Sequence, residues 1–360
     1  MTDGVTAAVT SAAPTGRFLR AATGHDVDAT PVWFMRQAGR TLPEYRKIRE
    51  SHSLMQICAN AELCAEVTLQ PMRRMPLDAA VMFGDIMLPL AGAGIDLDIV
   101  EGVGPVIRHP IRNASGLQQF REFSAEEHVA SVLDAVRIVR RALEPDRAVL
   151  GFAGAPFTLA SYLVEGRPTR DFARTKALML GEPQLWAQLM DTLSQIVVEF
   201  LRANAAAGAN ALQLFDSWVG ALSVRDYELH VRPWTQRIFA ALHDLDVPLV
   251  HFGTGTSHLL DQMREDGGTV IGLDWRVPLD SAWARVGHGL GVQGNLDPAV
   301  LCAPWPAVAD AAADILQRAG ARPGHVFNLG HGLLPQTPLA NIEQLVDFVH
   351  EFPRSGHTHG

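Results

Sequence analysis

The chain has 360 residues, of which 48% are hydrophobic and 19% are charged, so it can bury a large core and is not a disordered protein. Its formal net charge is -9, which argues against nucleic acid or an anionic membrane surface as a partner, because both require a basic face. An anionic ligand would therefore have to be bound by a local cluster of cations.

Cysteine use and the two chain ends indicate where the protein resides. Cys58, Cys64 and Cys302 include no Cys-x-x-Cys pair, which disfavours a disulfide framework and predicts a reducing compartment, the cytoplasm. Residues 1–16 lack a basic segment followed by an apolar one, so we predict a flexible lead-in and not a signal peptide. Residues 354–360 are predicted to form a flexible polar tail.

Short apolar runs alternate with longer segments of helical periodicity along the whole chain, a pattern typical of βα units around a parallel sheet. Helices are predicted at residues 61–75, 125–142, 183–206, 225–242 and 339–352. Strands are predicted at residues 32–35, 79–83, 149–153, 211–215, 248–252, 269–273, 291–293 and 326–329.

Eight strands with a helix after the last favour an α/β fold of the (β/α)8 TIM barrel type over a doubly wound open sheet. Residues 95–108 alternate apolar and polar side chains around a glycine-rich turn, which predicts a β-hairpin inserted after the second strand. No linker or charge block interrupts the interior, so we predict a single catalytic barrel domain over residues 17–353.

The first predicted strand ends in two arginines, Arg36 and Arg40, with Gly39 between them. Each guanidinium is a planar fork of donors that matches a carboxylate, and the glycine lets the backbone turn closely around a ligand. The pair predicts an anion site. Taken alone, it leaves open the alternative of two ordinary surface cations on a turn.

Other chemically useful side chains follow the strands at the end of a barrel where active sites lie. Asp85 leaves an apolar strand, where an ionised carboxylate is costly unless it receives donors. A helix N-cap or a core salt bridge with Arg36 is its alternative role. Tyr162, Ser217 and His331 follow the third, fourth and eighth strands, and each is also compatible with a purely structural role. Together these groups suit a large anion.

Two other motifs are set aside. Residues 289–294 fit the dinucleotide pattern G-x-G-x-x-G, but these glycines lead into a strand and do not follow one. His251 ends the fifth strand without a cysteine or carboxylate two residues later, and Cys302 stands alone. We therefore predict no metal site.

Several long motifs closely resemble those of the uroporphyrinogen decarboxylase family. The first is PVWFMRQAGR at residues 31–40, followed by LPEYR at 42–46, with Thr41 in place of a frequent aromatic residue. The resemblance continues through GFAGAPFTLASY at 151–162, FDSW at 215–218, GNLDP at 294–298 and NLGHG at 328–332. The motifs occur in family order over nearly the whole chain after residue 16.

The resemblance implies a barrel, usually homodimeric, that removes CO2 from the four acetate arms of uroporphyrinogen III to give coproporphyrinogen III without a cofactor. It implies catalytic roles for Asp85, which would accept hydrogen bonds from the pyrroles, and for Arg36 as the proton source, with protonated His331 as the alternative source. The substrate-binding residues that it implies are Arg36, Gln37, Ala38, Gly39, Arg40, Arg49, Asp85, Tyr162, Ser217 and His331.

Two other functions are compatible with such a barrel. Cobalamin-linked methyltransferases share the fold and bind zinc through His-x-Cys and a later cysteine, but this chain has His251, Phe252 and Gly253 at that point. A tetrapyrrole-binding protein without catalysis would keep the arginines and would not need Asp85.

Overall fold

The computed structural model describes residues 14–100 and 102–354. The predicted flexible ends lie outside these residues except at their borders. At those borders, the carbonyl of Gly16 accepts a hydrogen bond from the amide of Arg20 at 3.1 Å, and the guanidinium of Arg354 donates to the carbonyl of Ala321 at 2.6 Å.

The described chain alternates strands and helices, as the sequence pattern predicts. The strands are β1 Ala79–Val81, β2 Leu97–Val100, β3 Gly104–Ile107, β4 Ala148–Gly154, β5 Ala211–Asp216, β6 Leu249–Gly253, β7 Val270–Gly272, β8 Gly291–Gln293 and β9 His325–Val326. The helices are α1 Arg17–Ala22, α2 Pro43–Arg49, α3 Leu54–Cys58, α4 Ala61–Arg74, α5 Leu88–Gly92, α6 Ala125–His128, α7 Ala130–Ala142, α8 Pro156–Glu165, α9 Ala173–Gly181, α10 Pro183–Ala207, α11 Val224–His230, α12 Arg232–Leu242, α13 Leu260–Met263, α14 Leu279–Val286, α15 Trp305–Ala319 and α16 Leu339–Glu351. Within residues 14–100 and 102–354, none of these helices is long and apolar enough to cross a membrane.

A seven-stranded parallel sheet forms the barrel wall in the order β1-β4-β5-β6-β7-β8-β9. These strands correspond to seven of the eight predicted ones, and the α/β barrel class is confirmed. Alternate side chains of the sheet meet in one interior cluster that includes Ala79, Leu150, Val250 and Val326. The strands therefore curl around a shared core, as expected for this fold.

The predicted first strand, residues 32–35, is an extended segment that makes only an isolated bridge. Val32 pairs in parallel with Phe327, and its carbonyl accepts from the amide of Asp78 at 3.0 Å. The segment thus contacts both edges of the sheet, after β9 and before β1. It fills the eighth place in the wall without forming a regular ladder.

Two buried side chains replace the missing ladder bonds along this segment. One carboxylate oxygen of Asp78 accepts from the amide of Val32 at 2.8 Å. The side chain of Gln37 accepts from the amide of Phe34 at 2.9 Å and donates to the carbonyl of Ala79 at 2.8 Å. Backbone groups that a strand would pair are therefore satisfied by side chains, which is why the regular-strand prediction is wrong here.

The barrel interior is filled, and its N-terminal end is covered by α1. Phe18 of this helix joins the interior cluster, and α1 contacts β8 and β9. Across the interior, the indole of Trp33 donates to Gln293 at 3.0 Å, and Gln293 donates to Gln213 at 3.0 Å. Active sites of such barrels lie at the other end, where the strands terminate.

The predicted hairpin insertion is confirmed as the antiparallel pair β2 and β3. It lies beside α8, because the amide of Ile107 donates to the carbonyl of Gly166 at 2.8 Å. A second bond joins the amide of Ile111 to the carbonyl of Leu163 at 2.9 Å. The insertion therefore supports the helix that follows the third predicted strand.

We expect Gln37→Leu to lower the free energy of unfolding by about 2 to 4 kcal/mol, because it leaves the Phe34 amide and the Ala79 carbonyl buried and unpaired. Urea unfolding followed by circular dichroism would measure the change. Gln70→Leu is the matched control, since Gln70 of α4 is buried and its side-chain oxygen has no partner among the described residues. Equal losses in the two variants would contradict the proposed bridging role of Gln37.

Candidate functional site

The turn after the first segment holds both arginines in unusual backbone conformations. Arg36 has φ 65° and Arg40 has φ 31°, and Gly39 between them has φ 118°. The left-handed region is unfavourable for residues with a side chain, and such strain concentrates at functional sites. The guanidinium of Arg46 donates to the carbonyl of Arg40 at 3.0 Å and helps to hold the turn.

The stem of Arg36 lies directly against the loop that follows β9. A Cβ atom on Gly332 would come within 2.4 Å of Cδ of Arg36, so this position requires a glycine. The neighbouring residue is His331. The chain thus brings together the first and last predicted strand ends, as the barrel prediction expects.

Asp85 follows β1, and one of its carboxylate oxygens, Oδ1, accepts from the amide of Met87 at 2.9 Å. Burial raises the pKa of Asp85, while the Met87 amide and the charge of Arg36 act in the opposite direction. This bond spans two residues within the turn before α5, whose N-cap is Met87, so Asp85 is not the helix N-cap that was one alternative for it. The bond occupies Oδ1 and leaves Oδ2 for another donor.

Side chains that the sequence reading did not single out fix the backbone that leads to Asp85. The amide of Phe83 donates to the hydroxyl of Thr68 at 3.0 Å, and the thiol of Cys64 donates to the carbonyl of Phe83 at 3.3 Å. Both partners lie on α4 and are buried. In the sequence, Cys64 and Thr68 on the apolar face of that predicted helix were the signal that could have indicated this role.

Tyr162 and Ser217 are brought close through Trp218. The ring of Tyr162 lies 4.0 Å from that of Trp218, measured between centroids, and Ser217 precedes Trp218 in the chain. Burial and the charge of Asp85 raise the pKa of Tyr162 above its ordinary range, with Arg36 opposing them. The phenol of Tyr162 is therefore a hydrogen-bond donor at neutral pH.

His331 is held as a neutral imidazole. Burial lowers its pKa to about 4, and the charges of Arg36, Arg40 and Arg276 contribute, with Asp274 opposing them. Its Nδ1 is buried and has no partner among the described residues. A protonated His331, the alternative proton source from the sequence, is therefore disfavoured at neutral pH.

Arg276 is a charged group near this site that the sequence reading missed. Its guanidinium lies 4.1 Å from the ring centroid of Trp275 and donates to Asp274 at 2.5 Å. The other carboxylate oxygen of Asp274 accepts from the amide of Arg276 at 3.0 Å.

Aromatic rings from three neighbouring strands form a row near the strand ends. The centroids of Phe152 and Phe215 are 5.4 Å apart, those of Phe215 and Phe252 are 5.7 Å apart, and Phe252 stacks against His331 at 6.3 Å. Phe152 and Phe215 are only partly buried. The row provides an apolar surface beside the charged groups, and the sequence reading treated these residues only as strand interior.

The remaining predicted site residues have other surroundings. The side chain of Gln37 is committed to the barrel wall, as described above, and Ala38 is buried next to it. Arg49 ends α2 and donates to the carbonyl of His52 at 2.6 Å. Gln37 and Ala38 therefore belong to the arginine turn only through their backbone. Arg49 lies in a separate element, α2.

His251 lies on the outer side of the wall, facing the helical layer. Its ring nitrogens are 3.8 Å from a carboxylate oxygen of Asp216 and 3.9 Å from one of Asp266, and its ring lies 5.3 Å from that of Phe239 on α12. Its position does not match a zinc ligand at the strand ends, which was the requirement of the methyltransferase alternative. Among the described residues, no group of three or more His, Cys, Asp or Glu side chains could hold a metal ion.

The site as a whole carries more positive than negative charge. Burial and the neighbouring Arg36 lower the pKa of Arg40 to about 10, and burial lowers the pKa of Arg36 although solvent still reaches it. Mutual repulsion among cations in a poorly solvated space is unfavourable until an anion enters. The geometry is suited to a polyanion with an apolar body.

Comparison with known proteins gives a consistent result. The family profile described as uroporphyrinogen decarboxylase (URO-D) matches residues 13–352. Proteins named uroporphyrinogen decarboxylase from Sorangium cellulosum and Thermobifida fusca are 51% and 54% identical to this chain, over 94% and 92% of its length and 97% and 92% of theirs. Among solved structures, a methyltransferase from Methanosarcina mazei aligns with a TM-score of 0.76 at 20% identity, covering 93% of this chain and 98% of that one. That likeness concerns the fold alone.

We expect His331 to stay neutral from about pH 8 to about pH 5, because its pKa lies near 4. The pKa of a histidine in the unfolded chain is about 6.5, which is higher than that of His331 in the folded protein. As pH falls from about 6.5 towards about 4, the unfolded state therefore binds the proton first, and the free energy of unfolding decreases. NMR of histidine-labelled protein would follow the ring, with His331→Asn to assign its signal.

Two arginine variants test whether nearby positive charge contributes to the lowered pKa of His331. Arg36→Gln should raise the titration midpoint of His331 because it removes a positive neighbour. Arg141→Gln, on the exposed face of α7, should leave the midpoint unchanged. A midpoint above about pH 6 in the wild type would contradict the assignment of a neutral imidazole.

Proposed function

The chain belongs to the uroporphyrinogen decarboxylase family, and we propose that it removes CO2 from the four acetate arms of uroporphyrinogen III to give coproporphyrinogen III in haem biosynthesis. The observation that carries this proposal is the half-buried Asp85 beside Arg36, in a site whose cations outnumber its anions. A ring of pyrrole N-H groups surrounded by carboxylates matches both features.

The arginine turn would bind carboxylate arms of the substrate. Uroporphyrinogen carries eight carboxylates, and each charge-assisted hydrogen bond from Arg36 or Arg40 contributes roughly 1.5 to 3 kcal/mol. Tyr162, Ser217 and neutral His331 add uncharged donors around the same space. Gln37, Ala38 and Gly39 contribute by fixing the turn, and Arg49 is an additional cation toward the arms.

Asp85 would bind the centre of the tetrapyrrole. Its Oδ1 is held by the Met87 amide, so Oδ2 can accept from pyrrole N-H groups that converge on one point. A carboxylate fixed in this way also stabilises positive charge that develops on the ring. At about 4 Å and an effective dielectric near 20, the pair is worth roughly 4 kcal/mol, or about a thousandfold in rate.

The reaction follows from that charge. A proton added to the ring carbon adjacent to the pyrrole carbon that bears an acetate arm makes the ring a cation and an electron sink. The C–C bond to the carboxylate then breaks, its electron pair enters the ring, and CO2 leaves. A second proton converts the resulting methylene into a methyl group and the ring proton is lost, which restores the pyrrole. No electrons are exchanged with a cofactor in these steps.

Arg36 is the proton source that we propose, either directly or through a water molecule. A guanidinium is ordinarily a poor acid, but burial lowers the pKa of Arg36 in the direction that proton donation requires. The main alternative, His331, is neutral at the pH of the reaction. Arg36 also lies near enough to Asp85 for each charge to influence the other.

We expect the wild type, incubated anaerobically with uroporphyrinogen III, to form products with seven to four carboxyl groups. Asp85→Asn should fold and lower kcat/KM by about a thousandfold, because the neutral amide no longer stabilises the ring cation. Chromatography of the oxidised products would measure both proteins. Asp134→Asn is the control, since Asp134 is an exposed residue of α7 paired with Arg137.

Two results would overturn the proposal at different points. A wild type that binds the tetrapyrrole but forms no product would indicate a binding protein without catalysis. An active wild type with an equally active Asp85→Asn variant would remove the central role of Asp85 and leave the activity in place.

We further propose that the protein is a cytoplasmic homodimer, as the family resemblance implies. The free thiols of Cys58, Cys64 and Cys302 support a reducing compartment. Sedimentation equilibrium should give twice the monomer mass of 39.1 kDa at micromolar concentration. A single species of monomer mass over that range would contradict the dimer.

A further inference from the structure

The hydroxyl of Thr158 joins helix α8 to the end of β5 and the loop that follows it. Its Oγ1 accepts from the amide of Trp218 at 3.3 Å and donates to Oδ1 of Asp216 at 3.1 Å. Thr158 and Asp216 are both fully buried. Only a hydroxyl can accept and donate at one atom in this way, so the chemistry of residue 158 is restricted to Thr or Ser.

This hydroxyl is close to Tyr162 in two ways. Thr158 and Tyr162 are four residues apart on α8, so they lie on the same face of the helix. The amide of Trp218 donates to this hydroxyl. The centroid of the Trp218 ring lies 4.0 Å from that of Tyr162 and 5.0 Å from that of Phe172. The position of the Trp218 backbone therefore sets the surface against which Tyr162 packs.

Asp216 is an expensive group to bury for structure alone. Its Oδ2 has no hydrogen-bond partner among the described residues, and Nε2 of His251 lies 3.8 Å from it. Leaving a carboxylate oxygen unpaired in the interior costs free energy. The Asp216 carboxylate accepts a hydrogen bond from the Thr158 hydroxyl, which in turn accepts one from the amide of Trp218.

We propose that Thr158 and Asp216 are positioning residues for Tyr162 that act through Trp218. Neither touches the substrate. The hydroxyl and the carboxylate fix the Trp218 backbone, the Trp218 ring fixes the Tyr162 ring, and the phenol of Tyr162 then meets the substrate at the required angle. This inference rests on the decarboxylase activity proposed above and deepens it.

A double-mutant cycle tests the proposal. We expect Thr158→Val, which keeps the side-chain shape and removes the hydroxyl, to lower kcat/KM for uroporphyrinogen about tenfold, because small misplacements at a reacting site are costly. Thr158→Ser should stay within about twofold of the wild type. In a Tyr162→Phe background, Thr158→Val should change kcat/KM by less than about twofold, since the phenol that it positions is already absent.

Controls separate this role from a general loss of structure. Thr235→Val makes the same change at an equally buried threonine of α12, which takes no part in the Thr158–Trp218 contact, and it should leave kcat/KM unchanged. Thermal unfolding confirms that each variant is folded at the assay temperature. If Thr158→Val does not fold, Thr158→Ala removes the same hydroxyl without the second methyl group and carries the same expectation.

The possible failures are distinguishable. An inactive wild type would overturn the proposed function and this inference with it. An active wild type whose kcat/KM is unchanged by Thr158→Val would overturn the positioning role alone. The same tenfold loss with Tyr162 present and in the Tyr162→Phe background would also overturn it, because Thr158 would then act independently of Tyr162.

Discussion

The cost of holding several cations close together at the strand ends is the constraint on which the rest of the site depends. Arg36 and Arg40 both have lowered pKa values, and Asp85 has a raised one, because burial disfavours every charge. Such a site requires a frame that holds the side chains in place. Gly332, which has no side chain, leaves room for the Arg36 stem, and the Met87 amide donates a hydrogen bond to one Asp85 oxygen.

The closure of the barrel wall and the candidate site depend on the same segment of the chain. The segment that completes the wall also carries Arg36, and it is held by side chains of Gln37 and Asp78 where other strands are held by a ladder. The turn that follows this segment places Arg36 and Arg40 at positive φ four residues apart. The side chains of Gln37 and Asp78 thus hold the segment that leads directly into the arginine turn.

Much of this arrangement could be predicted from the sequence, because a strand-end rule needs only the order of residues. That rule placed Arg36, Asp85 and Tyr162 together. It could not show the direction of the Gln37 side chain, since residues 32–35 have the pattern of a strand. Nor could it show the neutral state of His331, which depends on burial and on three arginines from distant parts of the chain, Arg276 among them.

Binding and proton donation make opposite demands on Arg36. A carboxylate paired with its guanidinium would raise its pKa again and make it a poorer acid, whereas a carboxylate paired elsewhere would leave the pKa lowered. The charge of Asp85 opposes the lowering of the Arg36 pKa, so in the proposed complex the N-H groups of the tetrapyrrole would have to offset that negative charge. During the proposed proton transfer the acetate arms would then be held mainly by Arg40, Tyr162 and neutral His331. This division would leave Arg36 with the lowered pKa that the proposed proton donation requires.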